Sequence, residues 1–198
     1  MTEEVKYSPI EDLMEEHSIL RRALLIYEEC IRRMKINEDF DPALLVETTN
    51  VIKVIIIYHH ALLEHQYIFP RFREADTYVE MCDILTDQHG AADGQEKIIL
   101  EHANRDSINN PEKKEILINA LKKSIRVFRP HVDREDTEMF PEFKNVVTAH
   151  EFYELGKKFK EIEYQKWGAN GHKQMVDKII KVEKALGIND LDSFTPKS

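Results

Sequence analysis

The 198-residue chain is short of residues that staple or break a fold. Cysteine occurs twice, as Cys30 and Cys82, far apart and in no Cys-x-x-Cys pattern. That spacing excludes a zinc ribbon or a thioredoxin-type motif. Both cysteines fall in apolar helical stretches and read as buried free thiols, which suits a reducing cytoplasm. Glycine numbers only 6, and no stretch rich in Gly, Pro or Ser forms a linker. Long apolar runs are missing too: the most apolar, from Val51 to Tyr58, is broken by Lys53 and is too short to cross a membrane. The N-terminal MTEEVKYSPIEDL has neither a basic start nor an apolar core, so no signal peptide is expected. Positive charge is outnumbered, 28 Lys and Arg against 37 Asp and Glu for a net charge of -9, and no basic patch offers itself to nucleic acid. No stretch alternates with a period of two, which argues against strands.

What remains is helix-rich: 42% hydrophobic, 33% charged, with well-marked helix starts. Ser8-Pro9-Ile10-Glu11 is a capping box with proline at the first helical position. The helix it opens runs to about Lys35 on a stripe of Leu13, Ile19, Leu20, Leu24, Ile31 and Met34. Asp41-Pro42 opens a second helix. It is expected to end near Phe69-Pro70, because the residue before proline avoids helical geometry. A third starts at the capping box Thr77-Tyr78-Val79-Glu80 and reaches about Arg105. Asn110-Pro111 starts a fourth that reaches Phe140-Pro141, with Pro130 expected to kink or restart it. Thr148-Ala149-His150-Glu151 caps a fifth helix that stops at Gly168, and a last helix fits Lys173 to Leu186 before Gly187. The tail from Ile188 to Ser198 reads as loosely held. The fold expected is all-α: an antiparallel four-helix up-down bundle over residues 8–147, with two additional C-terminal helices over 148–198 packed on it.

One pattern occurs twice. His60 and Glu64 are followed by Phe69-Pro70 and Phe72; His131 and Glu135 are followed by Phe140-Pro141 and Phe143, each element 71 positions on. Four residues advance a helix by about 40° net, so each His and Glu share a face. A partner histidine lies on the preceding helix: His17 is 43 residues before His60, and His89 is 42 before His131. Four helices can therefore aim four imidazoles and two carboxylates at one point. Imidazole suits Fe, Zn, Cu and Ni, and a carboxylate can bridge two cations. Either copy alone reads more simply as a surface pair. Two copies in register, with matched upstream histidines, make it a dinuclear metal site.

On these residues the chain resembles the hemerythrin-like family, the HHE cation-binding domain. The stretches that carry the resemblance are Glu15-Glu16-His17, Tyr58-His59-His60 through Phe69-Pro70, Asp87-Gln88-His89, and His131 through Phe140-Pro141. It covers about Pro9 to Phe143, and the segment from Phe159 to Leu186 looks like the C-terminal extension of many members. The resemblance implies an oxo- or hydroxo-bridged di-iron centre, with zinc as a possible substitute. It implies binding or sensing of O2, NO or peroxide, or iron handling. Oxygen carriers place a fifth histidine four residues after the third-helix His. Here that position is Asp93, which is either an oxygen ligand or left aside for water. Their last carboxylate falls five residues after the final His, which here is Asp136. On an ideal helix Glu135 is better placed, and Asp136 stays the runner-up. The missing fifth histidine argues against simple oxygen transport.

The remaining candidates have ordinary readings. His59, about 100° round the helix from His60, is expected behind the site or at the surface. His65 reads as exposed or interfacial, and Glu16 as orienting a ligand or solvated. Tyr58 and Tyr67 flank the motif out of register. His102, His150 and His172 match no ligand register, and Trp167 reads as a packing anchor. No proton donor or substrate pocket is evident, so enzyme activity on peroxide or NO is left open. Beside it stand a regulatory or iron-supply module with a protein partner on the C-terminal helices, and a structural zinc site.

Overall fold

The computed structural model describes residues 7–196, apart from the side chain at position 193. The reading of the N-terminus leans on residues 1–6, and the tail's last two residues are 197 and 198; these lie outside the described residues. Among the described residues the chain is all helix, with no strand and no helix long and apolar enough to cross a membrane.

Helix α1 spans Pro9–Ile36, and its first turn is capped by Ser8, whose Oγ accepts from the Glu11 N–H at 3.2 Å. The expected apolar stripe is buried, and Asn37 ends the helix in the left-handed region at φ 53°. Helix α2 covers residues 43–74 but is not uniform. It passes from α-helix (Ala43–Ile52) to π-helix (Lys53–His60), makes one α-turn (Ala61–Leu63), widens again (Glu64–Ile68), and closes as α-helix (Phe69–Glu74). Helix α3 is Val79–His102, and α4 is a short piece, Arg105–Asn109. Helix α5 covers residues 111–146, with a π-helical stretch at Glu135–Met139. Helices α6 (Ala149–Trp167) and α7 (Gly171–Leu186) follow, then a 3₁₀ turn at Leu191–Phe194.

Several expected boundaries move. Neither α2 nor α5 ends at its Phe-Pro: they run on to Glu74 and Val146. The reason is the π-turn just before each proline. The Phe69 N–H reaches back to the Glu64 carbonyl and the Phe140 N–H to that of Glu135. A widened turn makes room for the proline ring, which would clash with the carbonyl four residues back in an α-helix. Nor does Pro130 restart its helix, which runs unbroken through it; the proline is exposed, so its orphaned carbonyl can meet water. The capping box at Thr77 does not form. Thr77 N–H instead caps the Phe72 carbonyl at the end of α2, and Tyr78 turns the chain at φ 53°. Helix α3 stops at His102 rather than Arg105, because the Asn104 side chain caps a new helix by accepting from the Ser107 N–H. Helix α7 starts two residues before the expected Lys173. The caps at Asn110 and Thr148 and the stops at Gly168 and Gly187 stand as expected. In the tail, Ile188 packs on the core while Leu191 and Phe194 are exposed.

Helix α5 packs against α3 and α1, and α2 against α1 and α3. Helix α6 lies on α1, and α7 on α1 and α2. One close approach fixes α6: a Cβ on Gly156 would stand 2.8 Å from the Tyr7 carbonyl carbon and 2.9 Å from the Ser8 nitrogen. Cys30 and Cys82 are buried free thiols, whose pKa values burial raises to about 12 and about 11. Two apolar clusters flank a polar middle. One is built on α1, α2, α3, α5 and α7; the other is a phenylalanine-rich end including Phe69, Phe72, Phe140 and Phe143.

The larger cluster encloses one polar layer. Glu96 accepts from Tyr27 OH at 2.5 Å and from Ser124 Oγ at 2.6 Å, and Thr49 Oγ1 lies 2.8 Å from the phenol oxygen. All four side chains are fully buried. Burial lifts the Glu96 carboxyl from 4.5 to about 7, against the pull of its hydroxyl donors.

Two outcomes are expected. Between pH 4.5 and about 7 the folded chain keeps the Glu96 proton that the unfolded chain has lost, so metal-free stability falls as pH rises through that window. Glu96→Gln should remove this slope and gain on the order of 3 kcal/mol above pH 7 in urea unfolding; an unchanged slope contradicts the assignment. Gly156→Val should cost about 1–3 kcal/mol by forcing α6 off the chain at Tyr7 and Ser8, read as a lower melting temperature.

Candidate metal centre

Between the two apolar clusters, α1, α2, α3 and α5 each present imidazole to one point. His17 comes from α1, His60 from α2, His89 from α3 and His131 from α5; α2 and α5 add Glu64 and Glu135. All six side chains are buried, the two glutamates completely. The donor atoms fall into two overlapping groups, each within 4.8 Å: Glu64, His89, His131 and Glu135, and His17, His60 and Glu135.

The imidazoles pair. His17 and His60 face each other Nε2 to Nε2 at 3.0 Å, and His89 and His131 at 3.1 Å. Each glutamate spans both pairs. Glu64 puts Oε1 3.4 Å from His60 Nε2 and Oε2 3.3 Å from His89 Nε2. Glu135 puts Oε2 3.3 Å from His17 Nε2 and Oε1 3.2 Å from His131 Nε2. No carboxylate oxygen of Glu64 or Glu135 has a hydrogen-bond donor in good geometry. Four buried oxygens without donors, facing four inward-turned ring nitrogens, form a donor set suited to cations. The residues present fit a metal.

The outer ring nitrogens are held from behind. His17 Nδ1 donates to Asp136 Oδ1 at 2.7 Å, His60 Nδ1 to Glu16 Oε2 at 2.9 Å, and His131 Nδ1 to Gln88 Oε1 at 2.9 Å. Because these oxygens only accept, the proton sits on Nδ1 and the Nε2 lone pair points inward. His89 Nδ1 meets His65 Nε2 at 3.0 Å. Arg21 clamps Asp136 at 2.5 Å. Phe140 stacks on His17 and Phe69 on His89, which walls the centre on one side.

The electrostatics divide the histidines: burial opposes the charged form of His60, but Glu64 and Glu16 raise its pKa. Burial lowers the pKa of His89 to about 3 and that of His131 to about 4, keeping both neutral, as ligands must be. Burial and the charge of Glu64 raise Glu135. Burial opposes ionisation of Glu64 as well, but His60 beside it holds the carboxyl low. Two carboxylates this close cannot both ionise comfortably without a cation between them.

The two less certain positions part company. Asp136 stands behind His17, while its neighbour Glu135 faces the centre. Asp93 lies outside the gathered donors, its oxygens taken by Lys53 at 2.5 Å and Lys97 at 2.6 Å. His59 is buried, with Nε2 3.3 Å from Glu16 Oε1 and its ring edge on Trp167 at 4.5 Å between centroids. Tyr58 is exposed. Sequence reasoning gave no role to Gln88 or to Arg21, and set His65 aside. Gln88 and His65 each adjoin a motif histidine in sequence or follow its glutamate, but an ideal helix turns neither toward the outer nitrogen that it meets.

Known proteins match this arrangement at the level of family. The model of the hemerythrin HHE cation binding domain matches residues 8–154. Uncharacterized proteins of Mycobacterium tuberculosis and Mycobacterium bovis are 34% identical over 194 residues, covering 98% of this chain and 76% of theirs. No solved structure matches. With a family match over most of its length and a buried His/Glu cluster that can hold metal, the chain belongs to the hemerythrin HHE cation-binding domain family.

Proposed function

We propose that the centre holds two iron ions and that the protein binds or senses a small oxidant or gas: O2, NO or peroxide. One observation carries the reading. Each glutamate sends its two oxygens to different histidine pairs, as a carboxylate bridging two cations does. His17 and His60 would hold one ion, and His89 and His131 the other. Six donors shared between two ions leave coordination positions open, and iron when bound supplies redox chemistry there. The chain's own part is to fix the imidazoles by Asp136, Glu16, Gln88 and His65, and to exclude bulk water with Phe69 and Phe140. On this reading α1, α2, α3 and α5 form the antiparallel up-down bundle of residues 8–147, and 148–198 is its extension.

A second reading, in which the metal state controls a protein partner through the C-terminal helices, is favoured by one run of contacts. Trp167 of α6 touches His59, His59 touches Glu16, and Glu16 holds His60. The extension thus bears on the centre through three side chains.

Purified aerobically, the protein should contain two irons per chain and show near-ultraviolet charge-transfer bands that vanish on anaerobic reduction. A colourless protein with stoichiometric zinc and no iron would sink the reading. His60→Ala should lose metal and cost about 3–5 kcal/mol, because Glu64 is left as a buried carboxylate without its neighbour. Unchanged metal content and melting in that variant would place the site elsewhere. Glu16→Ala should keep the fold but weaken metal affinity by about 10–100-fold, measured by competition with a chelator.

A further inference from the structure

The polar layer around Glu96 repeats the architecture of the metal centre. It takes one side chain from each of the same four helices: Tyr27 from α1, Thr49 from α2, Glu96 from α3 and Ser124 from α5. Glu96 follows His89 by seven residues and Ser124 precedes His131 by seven, so both stand two helical turns from the centre and on the same face. Two turns is about 10 Å along the axis, and Tyr27, ten residues past His17, stands about 15 Å along α1 from it between Cα atoms. On α1 the tyrosine side chain leans back toward the helix N-terminus, the direction of His17. Between the layers lie Leu20, Leu24, Ala92 and Phe128, all buried.

The chemistry of the layer is specific. Packing alone would be served by apolar residues, and a buried carboxylate normally has a cation partner. Glu96 has none in contact; its partners are hydroxyls. The shortest contact runs from the Tyr27 phenol to Glu96 Oε2, at 2.5 Å. A phenol gives up an electron readily only if its proton leaves at the same time, and above about pH 7, where Glu96 is ionised, the acceptor is already in place. The site is dry and closed, so a radical formed there is shielded from solvent.

We infer that Tyr27 is a redox-active residue that passes one electron to the metal centre, with Glu96 accepting its proton. This rests on the reading of the centre as an iron pair that meets peroxide. In the step, the O–O bond of hydrogen peroxide breaks and two waters form. Where one ion of the pair is already ferric, one of the two electrons required comes from the remaining ferrous ion and one from Tyr27. The Tyr27 proton moves to Glu96, two protons come from solvent, and a neutral tyrosyl radical hydrogen-bonded to protonated Glu96 remains. A supply of the second electron from within the core keeps peroxide reduction from releasing a free hydroxyl radical.

The test uses full-length protein above pH 7, loaded with ferrous iron anaerobically and then oxidised by one electron per pair, with iron content measured before each run. Peroxide is added, and the sample is frozen within milliseconds to seconds for electron paramagnetic resonance. The wild type should give an organic-radical signal whose hyperfine pattern collapses when the protein is labelled with ring-deuterated tyrosine. Tyr27→Phe should lose that signal with iron content unchanged. Glu96→Gln, which keeps the shape and a hydrogen-bond acceptor but cannot take the proton, should lose most of it. A signal that persists in Tyr27→Phe, or its absence from iron-loaded wild type, overturns the inference while leaving the iron pair standing. A chain that takes up no iron overturns both.

Discussion

Everything in this molecule answers to two buried carboxylates that no lysine or arginine among the described residues pairs with. Glu64 and Glu135 are fully buried and lack hydrogen-bond donors, with four imidazole nitrogens turned to face them. In a metal-free chain this arrangement is costly, because buried carboxylates crowd one another and two of the neighbouring histidines, His89 and His131, are too desolvated to protonate freely. Removing either class of residue would make a better core and no site. The four long helices, the aromatic wall and the outer hydrogen bonds all serve to hold that costly geometry in place. Bound cations supply the charge that the fold withholds, so metal binding and folding are one equilibrium.

The π-helical turns are how the backbone meets this demand. They coincide with the functional segments: Lys53–His60 carries His59 and His60, Glu64–Ile68 opens with Glu64, and Glu135–Met139 opens with Glu135. Widening a turn rotates the side chains that follow, so the Phe-Pro-x-Phe elements swing into the apolar cluster beyond the centre. The same widening lets the helices continue past Pro70 and Pro141. The duplicated Pro is therefore tied to the duplicated Glu: each marks the far edge of a turn made wide at the ligand. Such turns are rare and are commonly found at functional sites.

Much of this was legible in the chain. A repeat at a fixed offset, with a histidine on each preceding helix, gathers the residues that the structure brings together, because helix periodicity decides which side chains share a face. Caps at Ser8, Asn110 and Thr148 were legible for the same local reason: the side chain that satisfies a free N–H lies within three residues of it. What escaped was whatever depends on turn width or on distant helices. The rule that helices end before proline assumes an α-helix and fails where the turn is π. Asp93 sits at the position of a family ligand, but Lys97 one turn on and Lys53 from another helix take its oxygens; the first is a local i,i+4 pair, and nothing in its own neighbourhood announces the second. The Glu96 layer was invisible because a lone Glu, Thr, Ser and Tyr on four helices form no local pattern.

The contrast between the two polar layers bears on how an all-helical core can hold reactive chemistry. In the upper layer the nitrogen and carboxylate donors turn inward with no hydrogen-bond donor for Glu64 or Glu135, so that layer is completed only from outside the chain. In the lower layer every carboxylate oxygen of Glu96 is satisfied by a hydroxyl of the chain itself. A layer that is already complete gains nothing from a cation, and its retention in a sealed core calls for a different use. A phenol and a carboxyl sharing one proton can lose an electron without moving any other atom far. The apolar residues between the layers keep the two protonic systems separate while leaving them close enough for an electron. On the proposed reading the same four helices divide the work: the upper layer holds metal, and the lower one holds a proton and parts with an electron.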